Sequence, residues 1–319
     1  MEQKLTLKIC IVGAGQVGST FAYALLIRGL ASEIVLIDIN RDLAEGQAQD
    51  LSHGLPYVHP TRIYAGTYAD CADADIVVIT AGAAQKPGES RLDLTHRNVE
   101  IFRGMIPEIA QYNRHAIFII VSNPVDVLTY ATIKFSGFAP NRVIGTGTTL
   151  DSARFRFLLS QHCGVDPRNV HAYIIGEHGD SEVPVWSLVH ISGVQLDQFC
   201  KKCTRGCSME MKQRIFEEVR TAAYHLIEKK GATYHAIGLA TLTMVESIVR
   251  DQKSILTISS YLENYLGLSD VCLSVPTIVS RQGVVSQIEL PLSSEELDGL
   301  HRSAQVINSV LRQVALKSG

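Results

Sequence analysis

A glycine-rich turn near the beginning of the chain constrains the fold more strongly than any other feature. The sequence GAGQVG occupies residues 13–18, directly after the apolar run LKICIV and just before the apolar helical pattern FAYALLIRGL. Asp38 lies at the end of the next apolar run, 20 residues after Gly18. A G-x-G-x-x-G turn between a strand and a helix, with an acidic residue at this distance, predicts a unit that binds a dinucleotide.

Each glycine of this turn has its own predicted role. Gly13 permits the tight turn, Gly15 lets the backbone approach a pyrophosphate at the helix N-terminus, and Gly18 lets the helix lie close to the sheet. Asp38 is expected to accept hydrogen bonds from the adenosine ribose hydroxyls and to repel a 2′-phosphate. The pattern therefore predicts NAD rather than NADP. The alternative is a structural glycine turn followed by a solvated aspartate.

Apolar runs alternate with helical patterns through the first half of the chain. The runs IVLIDI, RIYAG, DIVVITAG, AIFIIVSN and RVIGTG suit strands buried on both faces, as in a parallel sheet covered by helices. They predict an α/β fold, with a doubly wound parallel sheet (Rossmann) followed by an α+β substrate domain with antiparallel strands. We place an NAD-binding Rossmann domain at residues 1–145 and a catalytic, substrate-binding domain at residues 146–319.

The pattern changes after the first domain. A helix is expected near Thr149, a single strand over NVHAYIIG, and a long helical region over about 209–250. The run VCLSVPTIVSRQGVVSQIEL predicts antiparallel strands that turn at residues 281–283. A last helix is expected after Pro291, where SSEE is a capping signal.

The charge balance argues against several classes of function. A net charge of −3 and a pI near 6.4 provide no bulk attraction to nucleic acids or anionic membranes. The longest apolar region, residues 21–39, is interrupted by charged side chains and is not expected to span a membrane. We expect no targeting signal and a cytoplasmic protein.

Seven cysteines include a cluster, Cys200, Cys203 and Cys207, in the run FCKKCTRGC. Three sulfurs could begin a zinc or redox site. No fourth ligand follows at a standard spacing, so we expect free thiols in a reducing cytosol and no metal.

The run GEHGDSEVP places His178 between glycines after an apolar strand pattern. An enzyme that reduces a ketone with a hydride needs a proton donor near neutral pH, and histidine fits. The run TTLDSARFRF offers Asp151 as an anionic partner, with Arg154 on the same helical face three residues later. Arg154 could bind a substrate carboxylate through two parallel hydrogen bonds. On spacing alone, an ordinary ion pair between Asp151 and Arg154 explains the pattern equally well.

These motifs appear in one order along nearly the whole chain: GAGQVGS, Asp38, QKPGESRLDL, SNPVD, DSARFRF, GEHGDSE and KKGATYHAIG. By them the chain resembles the lactate/malate dehydrogenase family, and within it the bacterial L-lactate dehydrogenases. The resemblance implies NAD as cofactor, pyruvate and L-lactate as substrates, and a homotetramer.

The resemblance also implies a role for each residue of the site. His178 would donate a proton during pyruvate reduction and accept one during lactate oxidation, oriented by Asp151. Arg91, on a mobile loop, would polarise the substrate carbonyl. The implied substrate-binding residues are Arg154 for the carboxylate, Gln85, Asn123 and Thr233. The cofactor-binding residues, partly from the glycine motif, are Gly13, Gly15, Gln16, Val17, Gly18, Asp38, Asn123 and Ile237.

Gln85 is the residue expected to select the substrate. Members of the family that use malate carry an arginine at this position, which pairs with the second carboxylate of oxaloacetate. A neutral glutamine suits the methyl group of pyruvate, and an unpaired carboxylate shut under the loop would cost on the order of several kcal/mol. That corresponds to roughly a hundredfold or more in discrimination. The adjacent Lys86 is a complication, since it could in principle reach a second carboxylate.

Arg156 and His171 are candidates for a second site. Arg156 lies two helical steps after Arg154, a rotation of about 200°, so it should point away from the cleft. Two solvated cationic side chains are the simpler explanation. The resemblance implies instead that this arginine and histidine bind fructose 1,6-bisphosphate at a subunit interface, as an allosteric activator.

Two other functions remain as alternatives. A malate dehydrogenase would share most of these motifs, and Gln85 argues against it. A non-catalytic structural protein on the same fold need not keep the proposed catalytic set, which is complete here.

Overall fold

A nine-stranded sheet runs through the part of the chain that the computed structural model describes, residues 7–84, 88–201 and 206–317. Its parallel strands are β1 (Lys8–Val12), β2 (Glu33–Ile37), β3 (Arg62–Ala65), β4 (Ile76–Ile79), β5 (Ile117–Ile120) and β6 (Val143–Gly145). They lie in the order β3-β2-β1-β4-β5-β6, and each neighbouring pair is parallel. The predicted doubly wound parallel sheet is confirmed, because the strand order reverses between β1 and β4.

Both faces of this sheet are buried, as its apolar runs predict. In β1, Ile9 and Ile11 belong to the apolar cluster on one face, whereas Cys10 and Val12 belong to the cluster on the other. Alternation of side chains along a strand produces this division. A strand with apolar residues at every position is therefore satisfied only between two layers of helices.

Helices supply these two layers. The described helices are α1 (Gln16–Arg28), α2 (Arg41–His53), α3 (Arg91–Tyr112), α4 (Val125–Ser136), α5 (Thr149–Cys163), α6 (Leu196–Cys200), α7 (Met209–Lys230), α8 (His235–Val249) and α9 (Ser294–Gln313). The helices α1, α2 and α8 contribute to the cluster on one face, and α3, α4 and α9 to the cluster on the other. No described helix is both long enough and apolar enough to cross a membrane.

Antiparallel strands from the second half extend the same sheet. They are β12 (Ser254–Leu262), β13 (Val271–Ser280) and β14 (Gly283–Gln287). The pair β12–β13 is antiparallel, and Ser259 of β12 pairs with Gly145 of β6. The predicted antiparallel strands with a turn at residues 281–283 are confirmed. The strand β12, SILTISSYL, was not recognised because its polar residues weaken the apolar pattern.

Two predictions of element boundaries were wrong. The expected strand over NVHAYIIG is divided into β7 (Val170–His171) and β8 (Ile174–Ile175). The strand β7 pairs with β10 (His190–Ile191), which also pairs with β11 (Val194–Gln195), whereas β8 pairs with β9 (Val183–Pro184). Tertiary pairing therefore separates a run that is continuous in sequence. The expected helical region over 209–250 is two helices, separated at residues 231–234.

Candidate active site

The glycine turn leaves open space where an anion could approach. Gly13 has a φ of 107°, and a Cβ there would lie 2.6 Å from the Ala81 amide nitrogen. A Cβ on Gly18 would overlap the carbonyl oxygen of Gly13, so α1 can pass this close only with glycine. By contrast, a Cβ on Gly15 would meet no other atom within 4 Å. The backbone at Gly15 is therefore open to a close approach from outside the chain, as a pyrophosphate would require.

The N-terminus of α1 is suited to an anion. Gly15 is its N-cap, no side chain caps it, and its first turn holds no acidic residue. The exposed N–H groups and the helix dipole favour negative charge there. Asp38 stands beside the turn, because its carboxylate accepts from the amide N–H of Ala14 at 2.7 Å and of Asn40 at 2.9 Å. Gln16 and Val17 form the first turn of α1. These residues fit NAD.

The first turn of α5 is fixed against β8, and this contact brings the predicted catalytic residues together. The Oγ atom of Ser152 accepts a hydrogen bond from the amide of Ile174 at 2.9 Å. Chain continuing from β8 reaches Gly176, which exchanges two backbone hydrogen bonds with Ser274 of β13. His178 follows this anchored glycine and faces the start of α5.

Asp151 bridges His178 and Arg154. Its Oδ2 atom accepts a hydrogen bond from Nδ1 of His178 at 2.6 Å, and its Oδ1 atom accepts one from Nη1 of Arg154 at 2.8 Å. The side chain of Asp151 is only 3% exposed, whereas those of Arg154 and His178 are 15% and 27% exposed. A buried carboxylate thus orients two partly exposed cationic groups toward the same side.

Asp151, His178 and Arg154 form a trio, and the electrostatics of this trio favour a charged His178. Burial lowers the pKa of His178, but the negative charge and hydrogen bond of Asp151 more than reverse this effect and raise it to about 9. Burial raises the pKa of Asp151, and the charges of His178 and Arg154 reverse this in turn, so its pKa lies below the ordinary value. The pair is an ion pair at neutral pH, with the proton on His178.

Asp126 holds the backbone of His178 and was missed in the sequence. It is buried in the first turn of α4, within the motif SNPVD. Its carboxylate accepts from the amide of His178 at 2.8 Å and from the hydroxyl of Ser259 at 2.6 Å. Burial raises the pKa of Asp126 to about 7. Its place in the SNPVD motif could have indicated this role, but only Asn123 of that motif was predicted as a site residue.

Glu182 is a second buried carboxyl beside the trio, and it was also missed. It is 6% exposed, and its Oε1 atom has no hydrogen-bond partner among the described residues. One ligand atom of each of Asp151, His178 and Glu182 lies within 4.8 Å of the others. Burial, followed by the charge of Asp151, raises the pKa of Glu182 to about 8. Both carboxylate oxygens of Asp151 already accept hydrogen bonds from His178 and Arg154. The group of Asp151, His178 and Glu182 therefore fits proton transfer better than metal binding.

Arg91 lies at the mouth of the site, directed toward the loop that carries His178. It is the first residue of α3, whose N-terminus is capped by a capping box between Ser90 and Asp93. Its Nη1 atom is 2.6 Å from Oδ2 of Asp180, and both side chains are 58% exposed. The guanidinium also lies over the ring of Tyr224, with Cζ 5.6 Å from the ring centre. Arg91 thus has a solvent-accessible partner two residues beyond His178.

The predicted specificity residue, Gln85, lies outside the described residues, as does Lys86. Described contacts hold the chain on either side of them. Arg97 on α3 donates to the carbonyl oxygen of Ala84 at 2.9 Å and forms an ion pair with Glu89 at 2.8 Å. The loop therefore begins and ends beside α3.

Three further predicted residues, Asn123, Thr233 and Ile237, lie at or near the ends of other elements. Asn123 is exposed after β5, and its carbonyl oxygen accepts from Nδ2 of Asn98 at 2.8 Å. Thr233 is partly buried just before α8. Ile237, on the first turn of α8, packs against the apolar cluster that contains Ala14 of the glycine turn. The adjacent Gly238 lies against Thr20 of α1, so Ile237 stands on a helix that packs against the helix after the glycine turn.

Arg156 and His171 lie away from this trio. Nη2 of Arg156 is 3.4 Å from the carbonyl oxygen of Pro167, which precedes β7. His171 is exposed at the end of β7, opposite His190 in the antiparallel pair. As predicted from helical rotation, Arg154 and Arg156 have different partners.

The expectation of free thiols was wrong for two cysteines. Cys200 and Cys207 are paired as a disulfide, and their Cα atoms are 5.8 Å apart. Cys10, Cys71 and Cys272 are buried free thiols. Cys203 lies outside the described residues.

Comparisons with known proteins agree with this architecture. The family model described as lactate/malate dehydrogenase, NAD binding domain, matches residues 7–145, and the corresponding alpha/beta C-terminal domain matches residues 148–317. The chain is 54% identical over 307 residues to a protein named L-lactate dehydrogenase from Thermoanaerobacter sp. (strain X514), covering 96% of this chain and 99% of the relative. It is 51% identical to L-lactate dehydrogenase 1 of Clostridium acetobutylicum, covering 98% of this chain and 99% of that one.

A solved structure supports the same relationship. The ligand-bound minor L-lactate dehydrogenase from Enterococcus mundtii aligns with a TM-score of 0.95 and 41% identity, covering 98% of this chain and 100% of the other. Together with the family models, which cover both halves, these likenesses show that the chain belongs to the lactate/malate dehydrogenase family, whose members are NAD-dependent oxidoreductases.

Proposed function

We propose that this protein is an NAD-dependent L-lactate dehydrogenase that reduces pyruvate reversibly to L-lactate. The observation that carries the proposal is the bridge of Asp151 between His178 and Arg154. A 2-oxo acid has a carbonyl next to its carboxylate, so a proton donor beside a guanidinium matches both groups at once. The relatives named L-lactate dehydrogenase support pyruvate as the member of this substrate class.

The residues of the first half bind and orient the cofactor. The backbone around Gly13, Gly15 and Gly18 and the first turn of α1 would hold the pyrophosphate, with Asp38 on the adenosine ribose. Ile237 would contact the nicotinamide ring, and Asn123 would lie near the ring and the substrate. When bound, NADH supplies the hydride that is transferred to the carbonyl carbon of pyruvate.

His178 moves the proton. Because its Nδ1 atom is bonded to Asp151, the free ring nitrogen, Nε2, is the one available to the substrate. With the pKa raised to about 9, Nε2 carries a proton at neutral pH and can give it to the carbonyl oxygen. In lactate oxidation the neutral imidazole takes the hydroxyl proton back. Asp126 holds the backbone of His178 in place throughout.

Two arginines divide the binding of the substrate. Arg154 keeps one N–H on Asp151 and has others for the carboxylate, so its position is set before substrate arrives. Arg91 must leave Asp180 and turn inward to polarise the carbonyl, a movement that a loop closure would supply. Thr233 and Gln85 would line the pocket for the methyl group of pyruvate, where Gln85 offers no charge for a second carboxylate.

The test of this proposal is NADH oxidation with pyruvate and with oxaloacetate, measured as kcat/KM. The expected result is a clear preference for pyruvate, which Gln85→Arg moves toward oxaloacetate by supplying the missing charge. His178→Asn should bind NADH normally and lose at least about a hundredfold in rate. Better use of oxaloacetate by the unmodified protein would assign it to malate instead.

The organisation of the protein is also part of the proposal. Residues 1–145 would form the NAD-binding domain and residues 146–319 the catalytic domain, a division supported by family models that meet near this boundary. We further propose a cytoplasmic homotetramer activated by fructose 1,6-bisphosphate, bound by Arg156 and His171. The support is that Arg156 and His171 each lie away from the trio around Asp151, with His171 exposed.

A further inference from the structure

A histidine that the sequence did not suggest lies beside two of the clustered cysteines, Cys200 and Cys207. His162 lies in the last turn of α5, 38 residues before Cys200. One ring nitrogen of His162 and the sulfurs of Cys200 and Cys207 all lie within 4.8 Å of one another. The histidine precedes the cysteines in sequence, and only the fold places the end of α5 beside the end of α6.

We propose that His162, Cys200 and Cys207 in their reduced form bind a thiophilic divalent metal ion, for which Zn²⁺ is the test ion. Two thiolates and one imidazole are a ligand set that zinc prefers, and they leave one position of a tetrahedron for water. This site belongs to neither the glycine turn nor the trio around Asp151. Arg154 and His162 are eight residues apart on α5, a rise of about 12 Å along the helix.

The environment of His162 supports metal binding. Its Nε2 atom is 2.8 Å from the carbonyl oxygen of Gly206, and a carbonyl can only accept. The ring nitrogen that faces Gly206 is therefore protonated, which leaves Nδ1 with the lone pair that could bind a metal. Metal-binding histidines usually donate their other N–H to a backbone carbonyl or carboxylate in this way.

The environment of the sulfurs also favours an ion. Cys200 is 5% exposed, and Cys207 packs against the same apolar cluster, so an ion between them would be shielded from water. The run FCKKCTRGC has three basic residues and no acidic one, which would offset the charge of two thiolates. The proposed ion would join the C-terminus of α5 to the chain that enters α7.

The disulfide between Cys200 and Cys207 is the competing state of the same two sulfurs. Their Cα separation of 5.8 Å suits either state, because rotation about the Cα–Cβ bonds could open the sulfurs to the ~3.8 Å between ligands of a tetrahedral zinc. A disulfide requires no histidine, whereas His162 converges on both sulfurs. In a reducing compartment, cysteines in such a cluster serve more often as metal ligands than as a disulfide.

The first experiment measures metal in the whole protein. The chain is purified with a phosphine reductant, exposed to Zn²⁺, passed through gel filtration, and assayed for zinc by mass spectrometry. The expected result is close to one zinc ion per chain, with two thiols protected from modification. Less than about a tenth of an ion per chain, or a Cys200–Cys207 bond that persists in the reductant, would overturn the proposal.

Variants locate the ion. His162→Gln and Cys207→Ser should each weaken Zn²⁺ binding at least tenfold in competition with a chromophoric chelator. His225→Gln, an exposed histidine on α7, and Cys10→Ser, a buried thiol of β1, are matched controls that should keep the wild-type affinity. Zinc that survives both His162→Gln and Cys207→Ser would contradict the assignment.

A second readout does not depend on the variants folding. Wild-type protein loaded with Co²⁺ should show a thiolate-to-cobalt charge-transfer band and the strong visible bands of a tetrahedral ion. A weak octahedral spectrum without charge transfer would mean that no thiolates bind, and would overturn the proposal. Zn²⁺ should also raise the melting temperature of wild type but not of Cys207→Ser, because the ion binds the folded chain.

Discussion

At the scale of single residues, one carboxylate sets the chemistry of the site. Asp151 is hydrogen-bonded both to His178, the predicted proton donor, and to Arg154, which is predicted to bind the substrate carboxylate. Its negative charge therefore stabilises both groups. The i,i+3 spacing of Asp151 and Arg154 was compatible with an ordinary helical ion pair, and that pair is present. What the spacing could not show is the third member, His178, which lies in the loop after β8.

The first prediction concerns the pH dependence of the reaction. His178 has a raised pKa of about 9, so its charged form persists below that value and is lost as pH rises through it. Pyruvate reduction, which needs the charged form, should therefore decline above about pH 9, while lactate oxidation should rise. In Asp151→Asn, burial acts without the opposing charge, and the decline should move to lower pH by at least ~1 unit. The measurement is kcat/KM for pyruvate at a series of pH values, and an unmoved profile would contradict the pairing.

The second prediction concerns Glu182, whose pKa is raised to about 8 by burial. A carboxyl whose folded pKa is raised contributes its full stability below the unfolded value, near 4.5, and loses it as pH rises toward 8. The melting temperature of Glu182→Gln relative to wild type should therefore increase from about pH 5 to about pH 8. Glu228→Gln, on the exposed surface of α7, is the control, and its difference from wild type should stay flat. A flat difference for Glu182→Gln as well would show that Glu182 is ionised in the fold.

At the scale of elements, the strand–turn–helix unit around the glycines was predictable almost completely. Its glycines obey local backbone rules, and each strand is apolar after its first residue, so the sequence alone is enough to predict it. Local sequence rules failed where contacts with distant parts of the chain determine the structure. NVHAYIIG is broken because β7 and β8 find different partners, and the histidine beside Cys200 comes from α5. Asp126 and Glu182 were missed for the same reason, since their significance lies in burial beside His178.

The third prediction separates two glycines of this unit. A Cβ at Gly18 would overlap the carbonyl oxygen of Gly13, so Gly18→Ala should lower the melting temperature of the protein. A Cβ at Gly15 meets nothing within 4 Å, so Gly15→Ala should fold normally and yet weaken NADH binding at least about tenfold, because it fills the space for the pyrophosphate. Calorimetry and fluorescence titration with NADH measure the two effects. Unchanged NADH affinity in Gly15→Ala would place the cofactor elsewhere.

The fourth prediction concerns the beginning of α3. Arg91 is exposed and paired with Asp180, whereas Arg154 is largely buried and paired with Asp151. Arg91→Gln should therefore reduce kcat with a smaller change in KM, because its contact forms when the loop closes. Arg154→Lys should mainly raise KM for pyruvate, since lysine cannot form two parallel hydrogen bonds to a carboxylate. Steady-state kinetics of both variants decide the matter, and identical profiles would show that the two roles are not separate.

At the scale of the whole molecule, the sheet joins the two halves. The strand β12 of the second half pairs with β6 of the first, and Ser259 of β12 also bonds to Asp126 beneath His178. A continuous sheet resists hinge motion between the halves. The movement that brings Arg91 to the substrate is therefore expected from Arg91 leaving Asp180 rather than from rotation of domains, since Arg91 is an exposed member of the site.

The last prediction concerns the proposed effector and the assembly. Two-fold interfaces would bring Arg156 and His171 of one subunit toward those of its neighbour, and the cations would repel without an anion between them. Fructose 1,6-bisphosphate should relieve this repulsion and lower the half-saturating pyruvate concentration by roughly 5- to 150-fold, the range typical of allosteric coupling.

Arg156→Gln should abolish this activation while leaving the activity at saturating pyruvate intact. Arg168→Gln is the matched control, because Arg168 is an exposed arginine near the same strand that is already paired with Asp166 at 2.9 Å. The measurement is the pyruvate saturation curve of each protein, with and without the bisphosphate, beside its mass in solution. No response to the bisphosphate, or a response that Arg156→Gln leaves untouched, would mean that Arg156 and His171 only face the solvent. A tetramer that persists in Arg156→Gln without activation would instead tie the residue to the effector rather than to assembly.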